Sequence, residues 1–154
     1  MNFHLLAFGC LGASGVYMSW SDLIRRRLPN AASASLGLAG LAAGLILVGT
    51  NYAFSSLIHV LIALGVGFCV FALNLIGSGD VKYYAAVGAW FPLTEAFRLL
   101  GWVALVGFLI ALIWLAKAHL ASELISDDEA DYGKVPFGLA IAGGAVLAGA
   151  GVFQ

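Results

Sequence analysis

No Asp, Glu, Lys or Arg occurs between Ala31 and Gly79. Water would poorly solvate so long an apolar run, whereas a bilayer asks for about 20 such residues per crossing. The run is too long for one crossing, and Gly49-Thr50-Asn51 near its middle supplies turn formers. It therefore divides into two helices, roughly Ala31–Val48 and Ala53–Ile76. Charged residues punctuate the rest of the chain in the same way. Asn2 to Ser21 is uncharged, Tyr83 to Phe91 is a short apolar piece stopped by Pro92, Leu99 to Ala116 is closed by Lys117, and Val135 to Phe153 is the last run. The pattern predicts an all-α, polytopic membrane helix bundle of about six transmembrane helices, the fourth short, in a single membrane-embedded domain over residues 1–154. The fourth piece is either a thin, tilted span or a partly inserted helix. About a dozen residues rise only ~18 Å, against a hydrocarbon core of about 30 Å.

Composition agrees: 62% of the residues are hydrophobic and 10% charged, where a soluble domain carries about 25% charge. A net charge of -1 offers no basic face for nucleic acid. Cys10 and Cys69 are far apart and form no CxxC pair, so they read as small buried hydrophobes. His4, His59 and His119 lack ligand spacing. Neither a metal nor a cofactor is expected. Arg25, Arg26 and Arg27 follow the first apolar run instead of preceding it, the wrong polarity for a cleaved leader, so that run reads as a retained span.

The arginine cluster also orients the chain, because cytoplasmic loops collect Lys and Arg. With the loop at Arg25–Arg27 inside, two further crossings return the chain to the same side at Gly77–Lys82. Six crossings place Lys82, Lys117 and Lys134 with the arginines and leave only Arg98 opposite. Glycines three or four apart in the second helix (Gly37, Gly40, Gly44) and Gly143, Gly144 and Ala148 in the last allow close helix contact in lipid. Trp20, Trp90, Trp102 and Trp114 lie near span ends and suit an interfacial belt.

Parity brings Asp22 and Asp80 to one membrane face, each at the edge of an apolar run. An acid near the hydrocarbon boundary is costly to ionise. Asp22 also ends a helix, where the macrodipole disfavours negative charge, although Arg25 and Arg26 stand three and four positions on. Asp80 follows Gly77-Ser78-Gly79, which reads structurally as a turn with Asp80 as N-cap of the next helix and Lys82 at the headgroups. Chemically, two nearby carboxyls can share a proton, one acting as base toward water and the other as acid toward the departing groups.

At these residues the chain strongly resembles the type IV prepilin peptidases, membrane aspartic proteases of the GxGD type. Three segments carry the resemblance in order: Asp22 through Arg25-Arg26-Arg27-Leu28-Pro29-Asn30, then Gly77-Ser78-Gly79-Asp80-Val81-Lys82, then Lys134-Val135-Pro136-Phe137-Gly138. The resemblance implies Asp22 and Asp80 as the catalytic pair, with Gly77, Gly79, Lys82, Arg26, Pro29, Asn30, Lys134 and Pro136 supporting the site. It implies removal of the short basic leader of prepilins at the cytoplasmic face of the inner membrane, with pilus assembly machinery nearby. Larger members add a methyltransferase region with two CxxC pairs. Without those cysteines, this chain resembles the short, peptidase-only kind associated with Flp/Tad-type pili, with Flp-like prepilins as substrates.

Two other classes fit the bare residues: a small transporter or channel subunit using Asp80 as a proton or cation site, and an inactive structural relative in pilus assembly. Boundary placement of both acids beside arginines and a glycine turn favours peptide chemistry. The loop containing Glu123, Asp127, Asp128, Glu129 and Asp131 reads as a solvated segment that could steer a basic leader. Gly12-Ala13-Ser14-Gly15 spells the letters of a rhomboid-type serine motif, but helix packing explains it without invoking His59 as a base.

Overall fold

A computed structural model describes residues 3–25, 28–122 and 137–152. They form six helices: α1 (Phe3–Arg25), α2 (Asn30–Leu47), α3 (Thr50–Ala72), α4 (Ser78–Gly88), α5 (Ala96–Ser122) and α6 (Phe137–Val152). A 3₁₀ turn at Leu93–Glu95 links α4 to α5, and no strand occurs among the described residues. The chain is therefore an all-α bundle. Residues 30–47, 50–72 and 93–117 are each long and apolar enough to cross a membrane. α6 is apolar but shorter, while α1 equals α3 in length and is less apolar.

The breaks follow local chemistry. Pro29 precedes α2 in an extended conformation with φ -65° and ψ 124°, as its ring and missing N–H demand. Gly49 separates α2 from α3 with φ 128°, a conformation that L side chains rarely adopt. α3 ends at Ala72, four residues earlier than the hydropathy suggests, and Asn74 takes φ 58° in the turn that follows.

α4 begins at Ser78, not at Tyr83 as the apolar run alone implies. Its N-cap is Gly77 and Asp80 stands at the third helical position, which corrects the expectation of Asp80 as N-cap. A glycine can cap because small residues leave the first amides open to other partners. At 1.5 Å per residue α4 is about 16 Å long, far short of a bilayer.

Neighbouring helices in space run α5, α6, α1, α2, α3, and α4 fills the middle against α2, α3 and α6. Val81, Tyr83, Ala85 to Val87 and Ala89 to Phe91 are all buried. Alanines and glycines let it in. A methyl group on Gly40 of α2 would lie 2.8 Å from the Trp90 indole, and one on Gly67 of α3 would lie 2.6 Å from Val81. On the other side, a methyl on Gly144 of α6 would lie 2.6 Å from the Val103 backbone of α5. The small-residue faces expected from the sequence are thus contact faces. Trp90 departs from the interfacial belt: it is fully buried, and its indole N–H donates to the Leu36 carbonyl at 3.1 Å.

The turn that follows α4, at Trp90 to Leu93, lies inside the bundle, and its backbone polar groups need partners that lipid cannot supply. α3 supplies them. The Tyr52 hydroxyl donates to the Trp90 carbonyl at 2.7 Å, the His59 ring Nδ1 meets the Phe91 carbonyl at 3.1 Å, and Ser55 Oγ accepts the Leu93 N–H at 2.9 Å. These residues recur at helical spacing and so line one face of α3.

Candidate active site

Asp22 lies in the last turn of α1, just past the apolar run that ends at Ser21. Its Oδ2 accepts the backbone N–H of Gly138, in the first turn of α6, at 2.9 Å. The positive end of a helix is a favourable place for a carboxylate. Burial nevertheless dominates and raises the Asp22 pKa above 3.8, the Gly138 bond opposing it.

Asp80 points back to its own helix start, where Oδ2 accepts the Gly77 N–H at 3.2 Å. This is half of a capping box, since Gly77 has no side chain to complete the exchange. Burial pushes the Asp80 pKa from 3.8 to about 6, the nearby charge of Asp22 pushes it the same way, and the Gly77 bond opposes both. The two carboxyls therefore stand at one end of the bundle and feel each other. Among the described residues, no three His, Cys, Asp or Glu side chains cluster as a metal site would require.

Leu28, from the loop between α1 and α2, packs on the glycines beside them. Leu28 is half-buried, and a methyl group on Gly79 would lie 3.3 Å from its Cβ. A methyl on Gly138 would meet Leu28 Cδ2 at 3.2 Å and Asp22 Oδ2 at 2.8 Å. Two residues on, Asn30 Oδ1 accepts a hydrogen bond from Lys82 Nζ at 3.1 Å. Lys82 thus ties the start of α2 to the second turn of α4.

The sequence profile of the type IV leader peptidase family matches residues 10–117, a stretch that contains both Asp22 and Asp80. The chain belongs to the type IV leader peptidase family. No curated protein and no solved structure matches it significantly. Membership makes the chain a membrane peptidase of the kind that processes type IV pilin precursors.

In this leader peptidase, Asp22, Pro29, Asn30, Gly77, Gly79, Asp80 and Lys82 gather at one end of the bundle. Arg26, Lys134 and Pro136 lie outside the described residues, as does the acidic loop. Asp22 finds its described partner in Gly138 of α6 and not on its own helix. Gly138 and Leu28 are the residues that sequence reasoning left out of the site. Both lie within the motif segments, yet their positions depend on α6 and the α1–α2 loop meeting. Ser14 and His59 find separate partners: Ser14 Oγ donates to the Leu11 carbonyl, while His59 holds Phe91.

Proposed function

We propose that this chain is an aspartic endopeptidase that removes the basic leader of Flp-like prepilins at the cytoplasmic face of the inner membrane, with Asp22 and Asp80 as its catalytic pair. The observation that carries the reading is the pairing itself. Two half-buried carboxyls face one end of the bundle, each holding one backbone N–H, and the charge on Asp22 disfavours ionisation of Asp80. Such a pair keeps one proton between its two members over an intermediate pH range and titrates as a unit.

The singly protonated pair has both functions that hydrolysis needs. The ionised carboxylate takes a proton from water while the oxygen attacks the peptide carbonyl, giving a tetrahedral intermediate. The neutral carboxyl polarises that carbonyl and a proton then passes to the departing nitrogen, releasing a leader with a new C-terminal carboxyl and a pilin with a new amino terminus. Asp80 is the better holder of the proton, since its pKa is pushed to about 6. Asp22 is the better base, with the α6 N-terminus beside it. The family profile supports prepilins as the substrate class. The arginines at Arg25–Arg27 support the cytoplasmic side.

Co-expression with candidate prepilins, followed by mass spectrometry of their N-termini, tests the reading. Leader-free Flp-like pilin is expected only when this chain is present. Intact precursors for every Flp-like candidate, in cells where the chain is in the membrane, would overturn the substrate assignment.

A further inference from the structure

Leu28 sits where three segments meet. It precedes Pro29, which restricts the preceding residue to extended backbone, and Pro29 is itself held as the N-cap of α2. Its side chain packs on Gly79 at the start of α4 and on Gly138 at the start of α6, and it joins the hydrophobic core from outside. Gly79 adjoins Asp80 in the chain, and the N–H of Gly138 is the one bonded to Asp22. One methyl of Leu28 and the Asp22 carboxylate flank the same point above Gly138. Any larger residue at position 138 would drive into both. The two glycines thus have a shared consequence: they admit one aliphatic side chain between the helix starts that carry or bind the carboxyls.

We propose that Leu28 is the apolar wall of the carboxyl pair, a positioning residue that keeps water away from Asp22 and Asp80 and so holds one proton on them near neutral pH. The inference rests on the catalytic reading of that pair. Burial is the leading cause of the raised pKa of both acids, and Leu28 is an aliphatic group packed on Gly79, which adjoins Asp80, and on Gly138, which bonds Asp22. Among the described residues, the Gly77 and Gly138 amides bond the two carboxyls, and Lys82 on α4 bonds Asn30 at the start of α2. None of these is altered by a change at position 28. Shortening the wall lets water reach the acids, which favours their charged forms. The pair then loses its second proton at lower pH, and the alkaline limb of the rate profile moves down.

The experiment is the pH profile of prepilin cleavage by the full chain in liposomes, with Leu28→Ala and Leu28→Asn beside the wild type. Leu28→Asn keeps the branching at Cγ and the same number of side-chain heavy atoms while bringing a polar amide, so it remains informative if Leu28→Ala does not accumulate. Both variants should lower the alkaline limb by about one pH unit. Each should lose several-fold in rate at pH 7.5 and recover most of it near the new optimum. Leu28→Met, which preserves an apolar wall, should keep the wild-type limb. A limb that stays at its wild-type position in both Leu28→Ala and Leu28→Asn, or a rate lost equally at every pH, overturns the wall. Asp80→Asn in the same liposomes separates the two readings. Abolished cleavage there with an unmoved limb in the Leu28 variants removes only the role of Leu28, whereas retained cleavage removes the carboxyl pair itself.

Discussion

At the Ser78 end of α4, the half-buried Asp80 carboxyl stands near a second acid and, among the described residues, holds one backbone N–H in compensation. At the Gly88 end, the Trp90 and Phe91 carbonyls and the Leu93 N–H each meet a side chain of α3, and Trp90 sends its own N–H to Leu36. The same short helix thus has one end whose polar groups are satisfied and one end whose charge is left strained. A helix that stops within a bilayer needs the first kind of end to exist at all. The second kind stores unfavourable ionisation, which is useful only where chemistry consumes it. The difference separates anchoring from reactivity along about 16 Å of backbone.

The largest expected effect falls at the strained end. Asp22→Asn or Asp80→Asn should lower prepilin cleavage by at least about 10²–10⁴-fold, with normal amounts of protein in the membrane fraction. Cleavage that survives in either variant breaks the contrast at its root. Gly138→Ala comes next, since its methyl would lie 2.8 Å from Asp22 Oδ2 and push the carboxylate aside. A displacement of that kind should reduce kcat about 10–10²-fold, measured against a synthetic prepilin peptide.

The satisfied end should respond in stability. His59→Phe removes the ring nitrogen that meets the Phe91 carbonyl in a fully buried setting, a change worth roughly 1–3 kcal/mol. Thermal unfolding in detergent should detect it, while the alkaline limb of the cleavage profile stays in place. A shifted limb would mean that the two ends are not independent. The smallest effect concerns stability at the strained end. The folded-state pKa of Asp80 lies above its unfolded value, so its stabilising contribution is complete below pH 3.8 and is lost as pH rises through about 6. Asp80→Asn should therefore melt higher than wild type at pH 7.5, with the gap closing on acidification. A gap that stays constant down to pH 4 would assign the gain to something other than the carboxyl charge.

Much of this was legible in the chain. The absence of charge from Ala31 to Gly79 and the turn formers at Gly49–Asn51 placed α2 and α3 within a few residues. Asp22 and Asp80 stood out because acids at the edges of apolar runs are expensive and few. Trp90 shows where local reading stops: a tryptophan near a run's end belongs equally to a lipid headgroup region or to a core. Only its packing against Gly40 and its bond to Leu36 select the core. The start of α4 was misplaced for a related reason, since Gly77, Gly79 and Asp80 read as loop until neighbouring helices cover them.

By itself the sequence determined the solvent, the helices and the two acids, because hydropathy and charge act locally and lipid penalises every exception to them. The tertiary structure alone decided that α6 donates its first-turn amide to Asp22, that Leu28 lies between Gly79 and Gly138, and that α4 is enclosed with its far end bonded to α3. Those contacts join residues up to 116 positions apart. No local pattern encodes them, since they exist only when separate helices close on one another and exclude the molecules that would otherwise lie between.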